Sequence, residues 1–287
     1  MSEFSLDKYA KTPPPLGRRP DFEKLDQASA IYDSRLEHLP LDNFPELISS
    51  VDIIIKNLNK IRTRVDAPEI PNNPSVVRLM DHDQWKNLSG NSDVSNSLAH
   101  YDPLSGNIYQ LFDEERYVSS RMDQIFTAYT VAHELSHKAT HGLEKYSLHL
   151  SEGLADFLAQ QTIEDGALEP FIDKSELDYY RHMYLDAGPL LIDGYELKAK
   201  DIFIVPNEDG SCLTRIPQLR LIEAIQTKIR PEHFDTFLRG AFTNNTNLVK
   251  DVLTKQFGEE LACSFDDISG HADPRDLAIR ILQTPIS

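Results

Sequence analysis

Ala128-Tyr129-Thr130-Val131-Ala132-His133-Glu134-Leu135-Ser136-His137-Lys138-Ala139-Thr140-His141-Gly142 is the stretch on which the fold turns. Just upstream, Ser120 with Asp123 three residues later reads as a capping box, and Met122, Ile125, Phe126 and Tyr129 follow at helical spacing. A helix is therefore expected to run to about His141 and to stop at Gly142. Four residues advance an α-helix by about 400°, so His133 and His137 project from nearly the same face, one turn apart, where two imidazoles can grip one ion. Glu134 lies about 100° around from His133, off the ligand direction but near enough to reach a water beside that ion. The approach from Ala128 to Ala132 carries no charge, as a buried helix requires.

Two imidazoles do not complete a zinc site, because catalytic zinc takes three protein ligands and keeps a fourth position open. His141, His149 and Glu152 are the candidates for the third. His141 is one further turn on, but positions i, i+4 and i+8 drift by about 80° around a straight helix, which turns His141 away from a shared ion. Its charge instead suits the C-terminal end of the helix dipole. A second helix is expected from Ser151 through Leu154, Phe157, Leu158 and Thr162 toward Gly166, with His149 in the loop before it. Glu152 and Asp156 stand one turn apart on that helix, and alone they read as an acidic first turn complementing the dipole. Gly153 and Ala155 are small enough to let the two helices cross closely.

Taken together, His133-Glu134-Leu135-Ser136-His137 and Ser151-Glu152-Gly153-Leu154-Ala155-Asp156, with fourteen residues between His137 and Glu152, resemble the gluzincin superfamily of zinc metallopeptidases, its compact single-unit members above all. The resemblance covers roughly Leu98 to Gly166. It implies Zn2+ held by His133, His137 and Glu152, with Glu134 as the general base for attack of water on a peptide carbonyl. It also implies that Asp156 accepts a hydrogen bond from the second nitrogen of a ligand histidine. The implied fold is α+β and zincin-like: a small mixed β-sheet beside an active-site helix and a glutamate helix, followed by a mostly helical C-terminal lobe. An edge strand of that sheet would pair with substrate, and Asn107 to Phe112 is the candidate. A stabiliser of the developing oxyanion is expected from the C-terminal lobe, where Tyr180-Arg181-His182-Met183-Tyr184 is the richest source; His182 and Tyr184 are the candidates, with Arg215 and Tyr195 also open. Lys138 departs from the pattern, because the position after the second histidine is usually uncharged. The Gly-x-Met-Glu-Asn segment of aminopeptidase-N-like members is missing, so an endopeptidase is implied. The alternatives are a catalytically silent zinc-binding regulatory or interaction module, against which retention of Glu134 speaks, and a helical scaffold carrying the motif by accident.

Outward from this centre, residues 1–22 read as a proline-rich tail, 23–166 as an N-terminal lobe bearing the zinc site, and 167–287 as a mostly helical C-terminal lobe. Apolar spacing from Asp21 to Val65 fits two helices broken near Pro40 and Pro45, and Val76 to Met80 fits a short strand. A polar loop surrounds Gly90. Residues 98–101 and 107–112 read as a β-hairpin joined by Asp102-Pro103-Leu104-Ser105-Gly106. Helices are expected at 179–185, 216–229, 231–242, 248–257 and 274–282, with a strand at 202–205.

The chain has 287 residues, of which 40% are hydrophobic and 26% charged, enough to bury a core without staples. Its 46 acidic against 29 basic residues give a net charge of −17, which repels phosphate backbones and anionic membranes and keeps the protein soluble, while a peptide or protein partner is what the resemblance implies. Two cysteines, Cys212 and Cys263, stand far apart without CxxC spacing. With neither a signal sequence nor an apolar run of membrane-spanning length, a cytoplasmic protein is expected.

Overall fold

The computed structural model describes residues 39–89, 99–173, 216–266 and 272–284, together with the backbone of 190–192 and 195–197. The proline-rich tail, the first of the two expected N-terminal helices, the loop around Gly90, and the elements expected at 179–185 and 202–205 lie outside these residues.

The chain is mostly helical with a small mixed sheet, an α+β arrangement. Helix α1 (Pro45–Arg64) starts with proline at its first turn, where a missing N–H costs nothing, and buries one stripe formed by Leu47, Val51, Ile54, Ile55 and Leu58. Strand β1 (Val77–Met80) and helix α2 (His82–Ser89) follow, then the expected hairpin of β2 (Ala99–Tyr101) and β3 (Ile108–Leu111). Short α3 (Glu114–Ser119) leads into α4 (Arg121–Ala139), and α5 is Leu148–Thr162. A two-stranded ribbon of β4 (Leu190–Ile192) and β5 (Tyr195–Leu197) precedes α6 (Ile216–Lys228), α7 (Pro231–Phe242), α8 (Thr246–Phe257), α9 (Glu259–Cys263) and α10 (Pro274–Gln283). Buried apolar residues from Phe44 to Leu282 make one continuous core. No helix among the described residues is long and apolar enough to cross a membrane.

The sheet corrects one expectation. Its strand order is β1-β3-β2, with β1 parallel and β2 antiparallel to β3, so the segment expected to offer an open edge is paired on both sides. The edge beside α4 is β2. Asp102 N–H donates to Asn107 O at 2.9 Å, so alternation along an antiparallel strand turns the N–H and C=O of Tyr101 outward. The turn is held by the Asp102 carboxylate, which accepts from Leu104 N–H (2.9 Å) and Ser105 Oγ–H (2.6 Å).

Helix ends are the second correction. Ser120 does cap α4, its Oγ accepting from Asp123 N–H, but its own N–H donates to Arg116 O, so only half of a capping box forms. The helix stops at Ala139, two residues before His141. Helix α5 is capped four residues earlier than expected, by Ser147 rather than Ser151, so His149 is in its first turn and Glu152 is not. The dipole explanation for Glu152 therefore falls away.

Helix α5 is buried at almost every position, packed against α1, α4 and α6. Gly153 serves the crossing with α6 and not, as its size suggested, the crossing with α4: a Cβ there would lie 2.3 Å from Gln218 O and 3.0 Å from Ile222 Cγ1. Gly153→Ala is expected to cost about 1–3 kcal/mol as overpacking, read as a lower urea midpoint. An unchanged midpoint would mean that α6 simply moves away.

Polar residues of α1 complete the helix ends around the site. Ser50 Oγ donates to Ala167 O (2.7 Å) and Asn57 Nδ2 to Asp165 O (3.0 Å), which satisfies carbonyls where the chain leaves α5. Arg62 donates to Ala139 O at the end of α4, to Phe242 O at the end of α7 (3.3 Å), and to Pro68 O. One buried guanidinium thus ties three segments together.

Candidate metal centre

His133, His137 and Glu152 converge from α4 and α5, with one donor atom from each lying within 4.8 Å of the others. The two Nε2 atoms are 3.0 Å apart, and each oxygen of Glu152 faces one of them at 3.5 Å, Oε2 toward His133 and Oε1 toward His137. A tetrahedral ion with ligands at about 2.0–2.1 Å keeps those ligand atoms about 3.3 Å apart, so the spacing fits a single zinc-sized cation.

The hydrogen bonds behind the imidazoles point to the same occupant. His133 Nδ1 lies 2.7 Å from Asp156 Oδ1, and because a carboxylate only accepts, the proton sits on Nδ1 and the Nε2 lone pair faces the centre. His137 Nδ1 lies 3.3 Å from Ser151 Oγ, which can accept its proton in the same way. When Ser151 accepts from His137 Nδ1, the two Nε2 lone pairs face each other across 3.0 Å, an arrangement that a cation relieves. Tyr129 Oη, one turn before His133, adds a donation to Asp156 Oδ1 at 3.3 Å. Asp156 is buried, so its charge is held by these donors and not by water.

Removing that support has a measurable consequence. Asp156→Ala is expected to weaken Zn2+ binding about 10–100-fold, measured by competition with a chromogenic chelator, whereas affinity equal to the parent would make Asp156 irrelevant to the imidazole's orientation.

Glu134 is held by the sheet. Its buried carboxylate accepts from the outward N–H of Tyr101 on β2, at 2.9 Å. Lys138, the departure from the usual pattern, donates its ammonium to Gly106 O at 2.6 Å, and burial pulls that ammonium below its ordinary pKa. The hairpin is therefore clipped to α4 twice, at Tyr101 and at Gly106, one turn apart on the helix.

The other candidates lie elsewhere. His141 is in the turn after α4, its Nδ1 3.6 Å from Glu144 Oε1 and its ring 6.0 Å from that of Tyr101. His149, expected in a loop, is buried in α5 with Nε2 2.6 Å from Ala272 O, fastening the segment before α10. Tyr180, Arg181, His182, Tyr184 and Arg215 lie outside the described residues, and Tyr195 opens β5. Sequence reasoning missed Tyr129, Ser151 and Tyr101. Only Tyr129 had a local signal, its four-residue spacing from His133; the other two are brought in by the crossing of α5 and by the return of the hairpin.

Comparison with protein-family models, with curated proteins and with solved structures yields no match.

Proposed function

We propose that this chain is a zinc-dependent endopeptidase with a gluzincin-like site on a zincin-like fold. The observation that carries the reading is the joint placement of His133, His137 and Glu152 around one point with Glu134, on the same helix, held against the outer edge of β2. A donor set of two imidazoles and one carboxylate suits zinc, which when bound polarises a carbonyl and lowers the pKa of water toward neutrality.

The chain's own residues supply the rest. Glu134 takes a proton from the attacking water and passes it to the leaving amine. The outer edge of β2, in place of Asn107 to Phe112, receives the peptide through the outward C=O of Tyr101, whose N–H is taken by Glu134, so that the scissile carbonyl lies beside Glu134. Asp156 and Ser151 keep both imidazoles in the tautomer that binds metal. His182 and Tyr184 remain the proposed donors to the oxyanion.

The test is to incubate zinc-loaded protein with a peptide library and to read cleavage sites by mass spectrometry. New termini should appear, vanish on chelation and return with added zinc. Stoichiometric zinc with no cleavage would favour the silent regulatory module, and no zinc at all would favour the helical scaffold.

A further inference from the structure

Tyr101, whose N–H donates to Glu134, links the edge of β2 to the turn after α4 that carries His141 and Glu144. The same turn meets the edge strand, since the rings of Tyr101 and His141 are 6.0 Å apart, edge to face. Glu144 is positioned there: its Oε2 accepts from Gly142 N–H at 2.8 Å, and its Oε1 is 3.6 Å from His141 Nδ1. The Glu144 side chain keeps 37% of its surface open and His141 39%, so a ligand can reach both. Burial and the negative charges of Asp102 and Glu144 push the Tyr101 hydroxyl up to about 12, a sign that the field at this end of β2 is negative. Lys138, the nearby cation on α4, is engaged by Gly106 O.

Resting on the peptidase reading above, we infer that Glu144, with the Tyr101 ring and His141, forms a specificity subsite for a lysine or arginine side chain close to the bond cleaved. A peptide laid along β2 beside Glu134 directs one side chain to the face that Tyr101 occupies, because side chains alternate across a strand. There a cationic group meets a carboxylate on one side and an aromatic ring on the other, the combination that favours ammonium and guanidinium groups over neutral ones.

The experiment uses the zinc-loaded full chain and sets of fluorogenic peptides that differ at one position, carrying Lys, Gln or Glu on either side of the cleaved bond. At one position the parent should cleave the Lys peptide with a kcat/KM about tenfold or more above the Gln peptide, with the Glu peptide lowest. Glu144→Gln should shrink the Lys-to-Gln ratio about tenfold, and Glu144→Lys should reverse the order of Lys and Glu. Glu232→Gln, which removes the same charge from the exposed start of α7, should leave the ratio unchanged. Cleavage that depends on Glu134 but is indifferent to Lys, Gln and Glu at every position would overturn the subsite alone. So would an equal loss for all peptides in Glu144→Gln. No cleavage of any peptide by the zinc-loaded parent would overturn the peptidase reading and the subsite with it.

Discussion

Glu134→Gln is expected to lower peptide hydrolysis about 10²–10⁴-fold while zinc stoichiometry and thermal midpoint stay at parental values. An amide of the same shape still accepts the Tyr101 N–H through its oxygen, so the contact that orients residue 134 survives the change. The side chains of the candidate metal centre are not touched, since His133, His137 and Glu152 make their arrangement without Glu134. On the proposed mechanism, what is lost is the ability to take a proton, and with it the transfer to the leaving amine. The signature is a fall in kcat at constant metal content, because the missing interaction belongs to the transition state. Activity within about tenfold of the parent would take Glu134 out of the chemistry.

Arg62→Leu is expected to destabilise the chain by about 3–5 kcal/mol, a drop in melting temperature on the order of 10 °C. The guanidinium lies over the Phe242 ring, 5.0 Å from its centroid, and donates to the carbonyls of Pro68, Ala139 and Phe242. Leucine fills part of the volume but leaves those carbonyls without their donor in a buried setting, where each unmet acceptor costs about 1–3 kcal/mol. Arg62→Lys is the discriminating second variant, because a lysine keeps the charge but cannot span three acceptors with a planar fork, and it should recover only part of the loss. If both variants melt with the parent, the ends of α4 and α7 are held by packing alone. Because Ala139 closes the helix that carries His133 and His137, a frayed end in Arg62→Leu should also loosen the hold of His137 on metal.

The contrast between these two residues says how far the chain could be read in one dimension. Glu134 stands out because a helix has a fixed period: once His133 and His137 are seen four apart, the position of Glu134 beside them follows from angle, and the role proposed for it comes from the resemblance. Nothing local marks Arg62, whose three acceptors come from distant turns. The start of α5 was misplaced for a related reason. Ser147 and Ser151 are both good caps, and the choice went to the one that lets Leu150, Leu154 and Leu158 bury together, a tertiary preference over a local tie.

By itself, then, the amino-acid order determined the elements whose signals repeat within a turn or two: α1, the β2–β3 hairpin, α4 with its two imidazoles on one face, and the C-terminal helices α6, α7, α8 and α10, whereas Glu152 entered through the resemblance. Tertiary structure alone decided which strand is the edge, since β3 became central only when β1 paired beside it from earlier in the chain. It also decided that Gly153 faces α6, that Ser151 backs His137, and that Tyr101 reaches Glu134. Periodicity is a property of neighbouring residues, whereas an edge, a crossing or a donated hydrogen bond depends on which distant segment the folded chain brings alongside.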